Sequence, residues 1–188
     1  MKRIVIFASG SGTNAENIIR CFQESNIARV SLVLSNKKTA KVLDRAKNLK
    51  VPFSSFTKED LCVSNKILDL LIKEEPDLIV LAGFLLKFPE SILNQFPNKV
   101  INIHPALLPK YGGKGMYGSR VHEAVLDNNE SETGITIHFV NENYDEGAII
   151  FQEQVGLSEN ETPDTVAGKV HELEYEFFPK VIEGVLKL

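Results

Sequence analysis

A chain of 188 residues that is 43% hydrophobic is long enough to bury one continuous core, and it predicts a single domain over residues 1–188. Its net charge of −4, with the basic side chains scattered, excludes a nucleic-acid duplex as the main partner. No apolar run reaches the length that spans a bilayer, and the opening MKRIVIFASGSG lacks the apolar core and cleavage site of a secretory signal, so a cytoplasmic protein with no membrane partner is expected.

The first strand, RIVIFAS, runs into SGSGTN at residues 9–14 and then into a helix over 14–24. Backbone N–H groups at such a turn, added to the positive end of the helix, suit an anion such as phosphate. The third glycine of a dinucleotide fingerprint is missing, no lysine completes a phosphate-binding loop, and the second strand, RVSLVLS, ends in SNKK rather than an acid; a nicotinamide cofactor is therefore not expected. A plain tight turn is the competing reading. Further strands, VPFSSF, DLIVLAG and VINIH, alternate with helical stretches at 40–49, 64–74 and 89–95, the pattern of parallel strands joined by crossover helices. LIVLAG is apolar on both faces and belongs at the centre of the sheet.

VINIH ends in Asn102 and His104, two apart and hence on one face of the strand, before Pro105 breaks it. A Gly- and Tyr-bearing loop at 111–119 follows, expected to be more mobile without ligands than with them, and then a helix, SRVHEAVLD. GITIHFV and GAIIFQEQV, separated by NENYDEG, predict an antiparallel or mixed addition to the sheet. The last helix is capped by Thr162 with Pro163 at its first position, and Pro179 predicts a kink or a break. The fold expected is α/β: a doubly wound, mostly parallel Rossmann-like sheet with helices on both faces and a mixed or antiparallel C-terminal addition.

Cys21 and Cys62 lie in apolar-periodic stretches without a pairing framework and are read as reduced core or helix-face residues. His122 and His171 fall on predicted helices beside glutamates, where a solvated ring is the plain reading. HELEY, from His171 to Tyr175, lacks the second histidine of a zinc helix, so no metal is expected. His138 lies on its strand opposite the apolar side chains and either lines a pocket or is exposed. His104 differs, because reacting groups in a doubly wound sheet collect outside the carboxyl ends of its strands. An amide donor from Asn102, an imidazolium from His104 and an orienting carboxylate from Asp145 can together stabilise a developing oxyanion. No serine or cysteine nucleophile stands beside them, which favours direct transfer between two bound substrates. A structural Asn/His pair is the alternative.

NIHPALLPKY, with VLAGF before it and GITIHFVNENYDEGAII after it, resembles the Asn-x-His-Pro-Ser-Leu-Leu-Pro region of the folate-dependent formyltransferases, and the likeness covers essentially the whole chain. ASGSGTN and the chain length resemble the branch of that family acting on glycinamide ribonucleotide in purine (IMP) biosynthesis. The resemblance implies that a formyl group moves from 10-formyltetrahydrofolate, the co-substrate, to the ribonucleotide amine. It implies that Asn102 and His104 polarise the formyl oxygen and that Asp145 keeps His104 protonated. It assigns Gly12, Thr13 and Asn14 to the ribonucleotide phosphate, and His171, Glu172, Leu173 and Glu174 to the same substrate, with Glu174 the foremost of them. The folate falls to Leu85, Leu86, Lys87 and Phe88, to Asn102, and to Asn141, Glu142, Asn143, Tyr144 and Asp145. Lys58 stands in for a family arginine. Leu86 occupies a position where the family often has arginine, and Ala106 one where it usually has serine. Other formyl-folate enzymes of the family, such as those acting on methionyl-tRNA or hydrolysing the formyl donor, carry additional domains for which this length leaves no room. A silent nucleotide-binding module using only SGSGTN is the rival from outside the enzymes.

Overall fold

A computed structural model describes residues 1–187. Its elements run β1 (Lys2–Phe7), α1 (Thr13–Gln23), β2 (Ala28–Ser35), α2 (Lys41–Asn48), β3 (Phe53–Ser55), α3 (Lys58–Cys62), α4 (Lys66–Glu74), β4 (Leu78–Leu81), α5 (Glu90–Gln95), β5 (Val100–His104), α6 (Ser119–Asp127), β6 (Glu132–Phe139), β7 (Ile149–Gly156) and α7 (Pro163–Leu186). The strands form one sheet of seven in the order β3-β2-β1-β4-β5-β6-β7. Pairing is parallel from β3 through β5 and antiparallel from β5 to β6 and from β6 to β7. The doubly wound sheet with its antiparallel C-terminal addition is thus the one expected, with β4 in the middle.

β1, β4 and β5 are buried on both faces because each face carries its own core. On one side Ile4, Ile6, Val80 and Ile101 pack against Ile18, Phe22, Val42, Val170 and Phe178 of α1, α2 and α7. On the other Val5, Phe7, Ile79 and Leu81 meet Leu61, Ile67, Leu71 and Ile92 of α3, α4 and α5. Fully burying one such side chain is worth about 1.5–3 kcal/mol, so these two layers hold the strand ends rigid. The strand order reverses between β1 and β4, and there the crossovers leave to opposite faces and open a crevice at the carboxyl ends.

Two local features depart from the sequence reading. Thr57 and Asp60 form a reciprocal capping box that starts α3, a short helix the apolar periodicity does not disclose. The second departure is that α7 runs unbroken through Pro179. Proline cannot donate to the carbonyl four residues back, that of Tyr175. Asn17 Nδ2 of α1 donates to that oxygen instead, at 2.9 Å. Pro179 is itself buried, so packing and a borrowed donor keep the helix continuous. Cys21 and Cys62 are free and exposed on α1 and α3. Among the described residues, no helix is long and apolar enough to cross a membrane.

Candidate active site

A cleft of about 640 Å³ lies at the switch point, walled by the turns after β1 and β4, the end of β5, the loop before α6, and one face of α7. Its floor is braced by Ser9, which is buried. Ser9 Oγ donates to Asn36 Oδ1 at 2.6 Å and accepts from the Leu85 N–H at 3.0 Å, so one hydroxyl ties the ends of β1, β2 and β4 together.

Gly12 caps α1 with φ 75°, and a Cβ there would sit 2.4 Å from Val42, so both backbone conformation and space demand glycine. The Arg45 guanidinium donates to the Ser11 carbonyl at 2.8 Å and pairs with Glu16 in the first turn of α1. Thr13 and Asn14 open the helix into the cleft. Asn14 Nδ2 donates to Glu174 Oε2 at 2.8 Å, linking the turn to α7. Glu174 is buried, and that burial raises its pKa against the opposing pull of Asn14 and His171.

At the far side of the cleft stand Asn102, His104 and Asp145 together with His138. Asn102 and His104 share a face of β5 as the two-residue spacing requires, and His138 lies opposite Asn102 across the antiparallel ladder. His138 Nδ1 lies 2.8 Å from the Phe139 carbonyl, so it carries the ring proton. Nε2 is then free to accept from Asn102 Nδ2 at 3.2 Å. One amide hydrogen of Asn102 is used in this way, leaving the other for a ligand oxygen.

Asp145 lies 3.6 Å from His104 Nδ1 and 3.6 Å from His138 Nε2, beyond a hydrogen bond in both cases. Burial pushes its carboxyl up. His138, the charge of His104 and the N–H of Gly113, at 2.9 Å, outweigh that and hold Asp145 below its ordinary value. For His104 the balance goes the other way: burial lowers the imidazole pKa, and Asp145 and the Tyr111 carbonyl pull it up without compensating. Asp145 thus pulls on the His104 imidazole against the burial of the ring. Its effect has the expected direction, but desolvation is larger. His104 Nε2 donates to the Tyr111 carbonyl at 2.7 Å, so that ring N–H is held by the loop that follows.

Only some of the other residues picked out by sequence reach this cleft. Leu85, Tyr144, His171 and Glu174 line it. Phe88 is buried in the core against Phe7 and Phe84, and Leu173 packs on the opposite core. Glu172, Leu86, Lys87, Lys58, Asn141, Glu142 and Asn143 are not among its lining residues. The side chain of Asn141 accepts from the Asn143 N–H at 3.0 Å, shaping the loop that delivers Asp145. Sequence reasoning left His138 open and missed two more. Lys37 lines the cleft from the turn after β2, and His122, read as solvated, is buried on the face of α6 that covers the cleft.

A family model described as formyl transferase matches residues 2–182. The chain is 37% identical over 190 residues to the chloroplastic phosphoribosylglycinamide formyltransferase of Arabidopsis thaliana, covering 98% of this chain and 65% of that protein. It is 35% identical to the phosphoribosylglycinamide formyltransferase of Bacillus subtilis, covering 100% of this chain and 96% of that one. Among solved structures, glycinamide ribonucleotide transformylase 1 of Geobacillus kaustophilus superposes with a TM-score of 0.89 at 33% identity, with 99% of each chain covered. The corresponding Symbiobacterium toebii enzyme gives a TM-score of 0.90 at 30% identity, covering 100% of this chain and 88% of that one.

Proposed function

Since the chain belongs to the formyl transferase family, we propose that it moves a formyl group from 10-formyltetrahydrofolate to the primary amine of glycinamide ribonucleotide. The observation that carries this reading is that one cleft joins an anion-ready helix start, Gly12 to Asn14, to the Asn102, His104 and Asp145 constellation. A ligand with phosphate at one end and a nucleophile at the other fits that layout. The purine-pathway role and the cytoplasmic location belong to the same proposal.

In this mechanism the amine attacks the formyl carbon, forming a carbon–nitrogen bond and leaving negative charge on the formyl oxygen. The free amide hydrogen of Asn102 and a ring N–H of His104 donate to that oxygen. Asp145 favours the imidazolium as the oxyanion forms, because negative charge beside the ring adds to its own pull. Collapse breaks the bond to the folate nitrogen, which takes up the proton lost by the amine through water near Asp145. For His104 to act, the Tyr111 carbonyl must give up its Nε2–H, so movement of the 111–119 loop accompanies binding of the donor. Tyr111 itself has φ 57°, uncommon for a residue with a side chain, and stands where the loop has to move. The pterin is assigned to the side lined by Leu85 and Tyr144.

The test follows folate absorbance with 10-formyltetrahydrofolate present, with and without glycinamide ribonucleotide. Conversion only when the ribonucleotide is added supports the proposal. Conversion without it means hydrolysis, and ribonucleotide binding without conversion means a silent binding module.

A further inference from the structure

β5 ends at His104, and the Tyr111 carbonyl farther along the chain comes back to accept from the same ring's Nε2. The turn between them is held from the antiparallel side of the sheet. His104 pairs with Thr136 of β6, and Thr136 pairs with Gln152 of β7, so these side chains leave the same face of the sheet as Asn102 and His138. Thr136 is fully buried, and its hydroxyl uses its whole hydrogen-bonding capacity. It donates to the Ala106 carbonyl at 2.7 Å, and accepts from the Leu108 N–H at 3.0 Å and from Gln152 Nε2 at 2.8 Å. Gln152 Nε2 donates in addition to the Leu108 carbonyl at 3.0 Å.

Ala106 and Leu108 are themselves buried, so backbone groups that lie beyond the end of β5 would otherwise go unpaired out of water. A valine would fill this place in β6 with nearly the same shape. The hydroxyl therefore serves the turn and not the strand. We infer that Thr136, braced by Gln152, is a positioning residue for His104: it pins the turn at Ala106 and Leu108, which sets the Tyr111 carbonyl on Nε2 and leaves Nδ1 facing Asp145. Neither Thr136 nor Gln152 is among the residues lining the cleft, so each acts through the turn.

The catalytic consequence rests on the proposed function, and the experiment has an arm that does not. With 15N-labelled histidine in the full chain, NMR follows which ring nitrogen of His104 carries the proton and how fast that proton exchanges with water. Steady-state formyl transfer gives kcat and the KM for the ribonucleotide. Thr136→Val, Thr136→Ser and Gln152→Met are compared with the native protein, each with a thermal melt. The native ring should hold its proton on Nε2. Thr136→Val should exchange that proton roughly 10-fold faster and lose about 10- to 10²-fold in kcat, with KM for the ribonucleotide changed by less than about 2-fold. Thr136→Ser keeps the hydroxyl and should restore most of both, while Gln152→Met removes only the brace and should shift both by about 3-fold. A folded Thr136→Val protein with native ring exchange overturns the inference. So does a Thr136→Ser protein as impaired as Thr136→Val, since the methyl and not the hydroxyl would then matter. If Thr136→Val does not fold, Gln152→Met decides: faster exchange supports the inference and native exchange overturns it. A native protein that transfers no formyl group would overturn the proposed function, while ring exchange still decides how His104 is placed.

Discussion

Replacing Gly147 by alanine should disable the site from outside the cleft. A Cβ at this position would lie 1.7 Å from the Phe139 carbonyl oxygen and 3.5 Å from His138 Nδ1. Relief requires the loop between Phe139 and β7 to move by more than about 1 Å, and misplacement on that scale can cost about 10²-fold in rate. Two groups suffer together. The Phe139 oxygen is the acceptor for His138 Nδ1–H, and losing it leaves a buried donor unpaired at about 1–3 kcal/mol. Asp145, two residues before Gly147, moves away from His104 and His138. For a chain of this size each kcal/mol is worth roughly 2–4 °C, so melting should fall by on the order of 5 °C. The assay is steady-state formyl transfer with a thermal melt alongside. We expect kcat to drop about 10²-fold with KM for the ribonucleotide little changed. Gly184→Ala, on α7 with nothing within 4 Å of the added carbon, is the control and should leave both readings intact. A Gly147→Ala protein with native kcat and melting temperature would refute the claim that this glycine sets the position of Asp145.

Gly12→Val, which combines φ 75° with a 2.4 Å clash on Val42, should weaken ribonucleotide binding far more than folate binding in calorimetry; equal loss of both in a folded variant would undermine the division of the cleft. His104 and His122 both have pKa values lowered by burial, so the unfolded chain binds more protons than the folded one just below pH 6.5. Stability to urea should therefore be full above that pH and decline as pH falls through it, with both rings titrating below 6.5 by NMR; a ring titrating above 6.5 contradicts the assignment. Residues 111–119 should exchange amide hydrogens more slowly with both substrates bound than without them, and equal protection in the two states would mean a static surface loop.

The sheet was readable because parallel strands buried on both faces leave continuous apolar runs, and LIVLAG fell in the middle for that reason. The spacing of Asn102 and His104 announced a shared face, and Asp145 was offered from the acidic loop NENYDEG. His138 could not be decided, because alternation along β6 separates faces without saying what covers them; here both are covered, and Thr136 and His138 are as buried as Ile135 and Ile137. His122 looked like a solvated residue beside a glutamate, and only the placement of α6 over the cleft buries it. Pro179 looked like a break because the donor that rescues the Tyr175 carbonyl, Asn17, comes from a helix some 160 residues earlier in the chain. Lys58 was named from the family resemblance as standing in for an arginine, and Lys87 as the neighbour of Leu86; both side chains are exposed outside the cleft lining. The readings of His138, His122 and Pro179 fell short for one cause: each depends on a contact between elements far apart in sequence.

In the proposed mechanism Asn102 and His104 act on charge that develops during formyl transfer while the ribonucleotide is held elsewhere in the cleft. Its most direct test is the single-turnover transfer rate of Asn102→Ala and His104→Ala, measured beside the calorimetric affinity of each variant for glycinamide ribonucleotide. The rate should fall by about 10²- to 10³-fold with affinity nearly native. Affinity lost in step with rate, or a rate left unchanged, would contradict it.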